Sequence, residues 1–511
     1  MGLTVEVIET SELGDRSYVA HDGKVAVVVD PQRDLDRVEK ILDDLGVRVG
    51  LVVETHIHND YVTGGFELAR RTGAGYVVAA ADHVEFARDA VTDGDERTVG
   101  SLTVRVVATP GHTDTHLAYV VGDGEGPPAV FTGGSLLFGS VGRTDLVDPA
   151  RTDELTRAQY HSARKLAEIL DDDTVVFPTH GFGSFCSTGP ASTGDHSTIG
   201  TERSRNDALL EPDEDAFVER LITGLTAYPS YYAHMGARNR QGPGAADLSA
   251  PERVDAEQLR RRIKAGEWVV DLRDRTAYAT EHVHGTIGIA LGPQFATYLG
   301  WLIPWGTPLT LVGETASQVT DAQRQLVRIG IDRPAGSALG KPDELAEPDE
   351  LRSYPKSTFA AIAEARDRGD DPVILDVRRH DEERTGPSPV PRTSRSTSCS
   401  SAWPRCPTAN CGCTAQQASA PASAPASSHA RVVRSYWSTT TTPALWPPVW
   451  RPADRSRTGR PSGVRRALSP CGPRGQPLRC GTSAPAAAKI YPMTGHRVVA
   501  DRRRQVRRRE R

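Results

Sequence analysis

Short apolar runs, each closed by Asp, Pro, Gly or His, punctuate the first 180 residues. Residues 25–29 are all Val or Ala and stop at Asp30-Pro31, which predicts a buried strand. Residues 35–45 carry apolar side chains at helical spacing and end at Gly46. Residues 49–53 predict the next buried strand, and a helical pattern follows over 66–71. Further strands are expected at 76–79, over a β-rich run at 98–108, and at 117–121, 129–132 and 174–178, with a helical stretch before the last. Strands that alternate with helices in this way predict an α/β fold.

Three of these strand ends carry histidine. The strand at 49–53 runs into Thr55-His56-Ile57-His58-Asn59-Asp60-Tyr61 and then Thr63-Gly64-Gly65. The run at 98–108 ends in Thr109-Pro110-Gly111-His112-Thr113, and the last strand ends in Thr179-His180-Gly181. Loops at strand ends are a usual place for chemistry on α/β scaffolds. His-x-His-x-Asp supplies two imidazoles and a carboxylate within five residues, a spacing that lets them converge on one ion.

Composition divides the chain in two. The 511 residues carry a net charge of −5, yet residues 387–511 hold 22 basic and 3 acidic side chains and six of the seven cysteines. None of the ten phenylalanines lies there. Hydrophobic residues make up 38 %, enough for ordinary cores, and no run is long and apolar enough to span a membrane. Seven cysteines without a basic-then-apolar leader predict a reducing, cytoplasmic compartment.

The motifs THIHNDYVTGG, TPGHTDTH, FTGGSLLFGSVGRTDL and FPTHGFGSF, in that order, resemble the metallo-β-lactamase superfamily. The nearest branch looks like the persulfide dioxygenases and glyoxalase II-like hydrolases, above all bacterial forms fused to rhodanese domains. The match covers roughly residues 1–245. It implies an αββα sandwich with the metal at one edge of two packed sheets, which the strand and helix pattern alone does not distinguish from a doubly wound sheet. It also implies that His56, His58 and His112 form a three-histidine site, while Asp60 and His180 match second-site ligands and candidate proton-handling groups. Two positions depart. Tyr61 stands where dinuclear hydrolases place a histidine, and Gly134 stands where the family has a ligand aspartate. A dinuclear site is therefore not expected. One ion is, with Fe(II) favoured and Zn(II) the alternative. Gly142-Arg143-Thr144-Asp145 also matches the family and is read as fixing a loop. Cys186 is the one cysteine before residue 387; it reads as a buried, inert thiol, with contact to a sulfur substrate as the other reading.

Residues 228–244 are rich in Pro, Gly and Tyr and are expected to close the first domain as a linker. Residues 252–345 resemble a rhodanese domain: a helix at 254–265, a strand at 268–273, His284-Gly285 and a strand near 307–314. Such domains carry sulfur on a cysteine in the loop after that last strand. Here the loop reads Gly313-Glu314-Thr315-Ala316, so no persulfide forms on it. Residues 356–386 resemble the start of a second rhodanese domain, with a strand expected at 372–377, and the pattern stops after Gly386.

The Arg-, Pro- and Ser-rich stretch 387–511 is expected to be disordered. A reading-frame shift near residue 386 accounts for it better than a basic nucleic-acid arm. Back-translation of residues 410–440 with permitted codons, skipping two bases, allows LWVHCAAGFRASIGASLLARAGRSVVLV, a strand, a Cys-x-x-Gly-x-Arg loop and a helix. Cys411 and Cys413 as written are then neither catalytic nor metal ligands.

The expected function is sulfur metabolism of persulfide dioxygenase type. It would oxidise a glutathione-type persulfide to sulfite and thiol. The alternatives are a glyoxalase II-like zinc thioester hydrolase and a non-catalytic sulfur-carrier docking protein. The expected partner is a small thiol persulfide or thioester, with neither nucleic acid nor membrane; a homodimer is compatible.

Overall fold

The computed structural model describes residues 2–370, apart from 190 and 193. The strand expected at 372–377 and everything read from residue 371 onward lie outside the described residues.

Strands β1 (Thr4–Thr10), β2 (Asp15–His21), β3 (Val25–Val29), β4 (Arg48–Val53), β5 (Gly75–Ala79) and β6 (Asp89–Val91) form one sheet in that order. The first three are antiparallel and the rest parallel. A second sheet has the order β11-β10-β9-β8-β7, from β7 (Glu96–Val99), β8 (Leu102–Ala108), β9 (Leu117–Gly122), β10 (Ala129–Gly133) and β11 (Val175–Pro178). The run read as one strand over 98–108 is thus two, because Gly100, at φ +64°, turns the chain back on itself.

The period of two explains the layers. Val25, Val27 and Val29 of β3 face inward and pack with Leu51, Val53 and Val77 against Val104, Val106, Tyr119 and Phe131 of the other sheet. Ala26 and Val28 face outward, against Val38 and Leu42 of α1 (Asp36–Leu45) and Leu68 of α2 (Gly65–Thr72). On the far side, Val120 and Val130 lie under Tyr160, Ala163 and Leu166 of α3 (Thr152–Ile169). Each such Val or Leu, fully buried, contributes about 1.5–3 kcal/mol. The result is an αββα sandwich rather than a doubly wound sheet. Among the described residues no helix is long and apolar enough to cross a membrane.

After α4 (Ile199–Arg205), α5 (Asp207–Leu210) and α6 (Glu214–Gly224) comes the stretch expected to be a linker. Most of it is instead α7 (Tyr232–Arg240), whose Tyr232 and Met235 are buried. They join a core shared with the second unit. That unit contains α8 (Ala256–Lys264), β12 (Trp268–Asp271), α9 (Arg275–Thr280), β13 (His282–Val283), β14 (Ile287–Gly288), α10 (Phe295–Leu302), β15 (Leu309–Gly313), α11 (Ala316–Arg328) and β16 (Gly336–Leu339). Its parallel sheet runs β14-β12-β15-β16. The two units are tied together by the backbone bond from Val62 N to Arg328 O, 2.7 Å, and by Arg328 against Asp34 at 2.9 Å.

Candidate metal centre

The site sits where β4, β8, β10 and β11 end. Their loops deliver His56, His58, His112 and His180, each 2 % exposed or less, and the buried Gly134. Asp30, at the end of β3, ties these loops together. It holds a left-handed φ of +49°, rare for a residue other than glycine. Its carboxylate accepts from Thr55 N and Thr55 Oγ1, both at 2.7 Å, and from Thr179 Oγ1 at 2.5 Å.

The second ring nitrogen of each histidine fixes its tautomer. The single hydroxyl proton of Thr55 goes to Asp30, so Thr55 Oγ1 accepts from His56 Nδ1 at 2.8 Å. His112 Nδ1 donates to the Arg143 carbonyl at 2.7 Å, and His180 Nδ1 donates to Asp15 at 2.9 Å. Each Nε2 is therefore left with its lone pair. Ligand histidines are held this way, by a carbonyl or carboxylate on the far nitrogen. Burial, with the neighbouring imidazoles, drives His56 and His112 well below the usual histidine range, and burial also lowers His180, so the rings are neutral and able to bind a cation.

The donors fit a metal. His56 Nε2 and His180 Nε2 lie 3.3 Å apart. Two imidazole nitrogens on one ion at a tetrahedral angle are roughly 3.4 Å apart. His58 Nδ1 and both carboxylate oxygens of Asp60 are buried and have no hydrogen-bond partner. Ligand atoms of His56, His58 and His180 lie within 4.8 Å of one another, as do those of His112, His180 and Cys186, and of Asp15, Asp60 and His180. The five residues expected as ligands thus fall into three overlapping groups that share His180.

His58 also belongs to a second arrangement. Its Nε2 faces Glu54 at 3.2 Å, Asp30 at 3.3 Å and the Tyr61 hydroxyl at 3.0 Å. Tyr61 is buried, stacks on the His58 ring and donates its hydroxyl to the Asp30 carbonyl at 3.3 Å. At Gly134 the ring of His112 occupies the space of a side chain: a Cβ there would lie 2.3 Å from His112 Cδ2.

Several positioning residues escape the sequence motifs. Asn239 of α7 donates to the carbonyls of His58 and Tyr61, both at 2.8 Å, and accepts from Thr63 N at 3.0 Å, so the helix clamps the His loop. His116 lies inside the TPGHTDTH stretch, but it accepts from Gly134 N at 3.0 Å and is a loop support. Asp15 and Glu54 had no local signal beyond being acidic residues at strand ends. Arg143, read as fixing a loop, does so: its guanidinium pairs with Asp145 at 2.7 Å and donates to the Phe185 and Thr226 carbonyls.

The metallo-beta-lactamase superfamily pattern matches residues 15–180. The chain is 30 % identical over 205 residues to the mitochondrial persulfide dioxygenase ETHE1 of Homo sapiens, covering 39 % of this chain and 69 % of that one. The chain belongs to the metallo-beta-lactamase superfamily. It is also 34 % identical over 166 residues to a hydroxyacylglutathione hydrolase of Acidiphilium cryptum, covering 32 % of this chain and spanning only 63 % of that relative's length. Among solved structures, a metallo-beta-lactamase from Staphylococcus aureus is similar with a TM-score of 0.59 and 26 % identity. That likeness covers 66 % of this chain and 98 % of the other. As a member of this superfamily with a buried donor cluster, the chain is a metal-binding protein of enzyme ancestry.

Proposed function

We propose that this chain is a mononuclear metal-dependent enzyme of sulfur metabolism, a persulfide dioxygenase that turns a glutathione-type persulfide into sulfite and thiol. The observation that carries the reading is the pair of departures at the second metal position. Tyr61 points its hydroxyl at His58, and Gly134 is overlain by His112, which leaves donors for one ion. His56, His112 and His180 would hold the ion through their free Nε2 atoms, with His58 and Asp60 beside them. Fe(II) held by such a set would supply open positions for dioxygen and substrate sulfur.

The chain's own groups do the rest. Arg143 and Asp15 hold His112 and His180 in the binding tautomer. Burial, with Asp15 beside it, raises the Asp60 carboxyl above the usual carboxylate range, which makes it the group placed to take up or return a proton. A cavity of about 210 Å³ lies against the His loops and is lined by Ile57, Asn59, Thr113, Leu146, Tyr232 and Arg240. It suits the thiol part of the substrate. Residues 252–345 serve as a rhodanese-like docking module without sulfur transfer of their own, and the protein works in the cytoplasm.

A second reading, a zinc thioester hydrolase, is favoured by the similarity to hydroxyacylglutathione hydrolases. Metal content of the purified chain and oxygen uptake on adding glutathione persulfide separate the readings. About one iron with oxygen uptake supports the dioxygenase. Zinc with thioester cleavage and no uptake supports the hydrolase, and absence of bound metal supports a docking protein.

A further inference from the structure

We propose that Cys186 is a thiolate ligand of the metal, in place of the donor that Gly134 lacks. The proposal rests on the presence of a resident ion argued above, and names one of its ligands.

Cys186 lies six residues beyond His180, and its thiol is buried with the imidazoles. Ligand atoms of His112, His180 and Cys186 all fall within 4.8 Å of one another. The contact the sulfur makes otherwise is distant, 3.9 Å to the Tyr232 hydroxyl. Arg143 sets this arrangement from both ends. Its carbonyl accepts from His112 Nδ1 at 2.7 Å, and its N–H donates to the Cys186 carbonyl at 2.9 Å. Its guanidinium donates to the Phe185 carbonyl at 3.0 Å. One buried residue therefore fixes both the ring of His112 and the backbone that carries Cys186. Independently, His58 Nδ1 is buried without a hydrogen-bond partner and His56 Nε2 faces His180 Nε2 at 3.3 Å, so the cluster holds donor atoms that no protein group satisfies.

A thiol in such surroundings is inert by itself, because burial disfavours the thiolate. A bound cation reverses that, since a coordinating thiol is deprotonated outright. The sulfur–metal bond forms as the S–H bond breaks, the proton leaves to solvent, and no electron changes hands. Thiolate selects iron or zinc over hard ions such as magnesium.

The test uses cobalt(II) in the full-length chain with the six cysteines beyond residue 386 changed to serine, so that Cys186 is the one remaining thiol. The expected result is about one cobalt per chain with an intense near-ultraviolet sulfur-to-cobalt charge-transfer band. In the same background Cys186→Ser should lose that band and bind cobalt about tenfold more weakly or worse. Cobalt binding without the band, or a band that survives Cys186→Ser, overturns the proposal, as does failure to bind cobalt. Should Cys186→Ser not fold, cobalt-edge X-ray absorption of the parent decides: one sulfur neighbour is expected, and nitrogen and oxygen alone would refute it. Oxygen uptake by the iron-loaded chain is a separate readout, so the functional reading stands or falls apart from this one.

Discussion

His56 and His180 face each other through their Nε2 atoms at 3.3 Å, with both far nitrogens committed as donors. Two lone pairs held this close in a buried site repel unless a cation lies between them. Metal should therefore stabilise the fold by mass action, by about 2.7 kcal/mol at a hundredfold excess over Kd. Thermal unfolding with and without chelator checks this. A melting temperature that does not respond to Fe(II) or Zn(II) would contradict the site.

Gly134→Asp should not rebuild a two-metal site. The new Cβ meets the His112 ring at 2.3 Å, so the ring must move off its hydrogen bond to Arg143. Overpacking of this kind costs about 1–3 kcal/mol. Denaturant unfolding should show that loss, and elemental analysis should show metal content no higher than in the wild type. A rise to two ions per chain would mean that His112 yields freely.

His58 gives a signed pH dependence in the metal-free chain. Burial opposes its charge, but Asp30 and Glu54 outweigh burial and raise the imidazole to about 10 from 6.5. A group raised on folding adds stability that is complete below its unfolded value and is lost as pH climbs toward the folded one. The stability difference between wild type and His58→Gln should thus shrink between about pH 6.5 and 10. A difference that stays flat over that window, measured by urea unfolding, would show that the carboxylates do not hold a charged imidazole.

Arg328 is one of the polar ties between the two units, beside Arg33 and Arg238 on Asp332. It is nearly buried and pairs with the fully buried side chain of Asp34 at 2.9 Å and with Glu12 at 3.1 Å. Asp34→Ala leaves that guanidinium without its buried partner, which costs about 3–5 kcal/mol. Calorimetry should show the loss, with the unit built on β12 and β15 melting apart from the sandwich. An unchanged single transition would place the coupling elsewhere, in the shared apolar core.

Gln318 closes the loop that lacks the sulfur-carrying cysteine. Its Oε1 accepts from Glu314 N at 2.7 Å and Thr315 N at 3.2 Å, and its N–H is capped by Thr315. Gln318→Ala removes half of this capping box and should cost about 1 kcal/mol. Chemical denaturation measures it. The wild-type loop should show no thiosulfate–cyanide sulfur transfer in a thiocyanate assay.

Much of this was written in local patterns. Residues 25–29, all Val or Ala, announce a strand buried on both faces, and His56, His112 and His180 each follow a strand end within a few residues. Short-range rules reach such features because spacing along the chain fixes them. The clamp by Asn239, the tie through Asp30 and the support from Asp15 involve separations of 165 residues or more in two of the three cases. No periodicity reports those.

The sequence by itself determined that strands alternate with helices, that histidines cluster after strands, and that Gly134 brings no donor atom. Side-chain chemistry and local hydrogen bonding suffice for that. Only the tertiary structure decided that the layers stack as a sandwich, that residues 232–240 pack as a helix under the His loop, and that Cys186 lies among the imidazoles. Those outcomes depend on which buried faces meet, and desolvation and packing between distant segments set that.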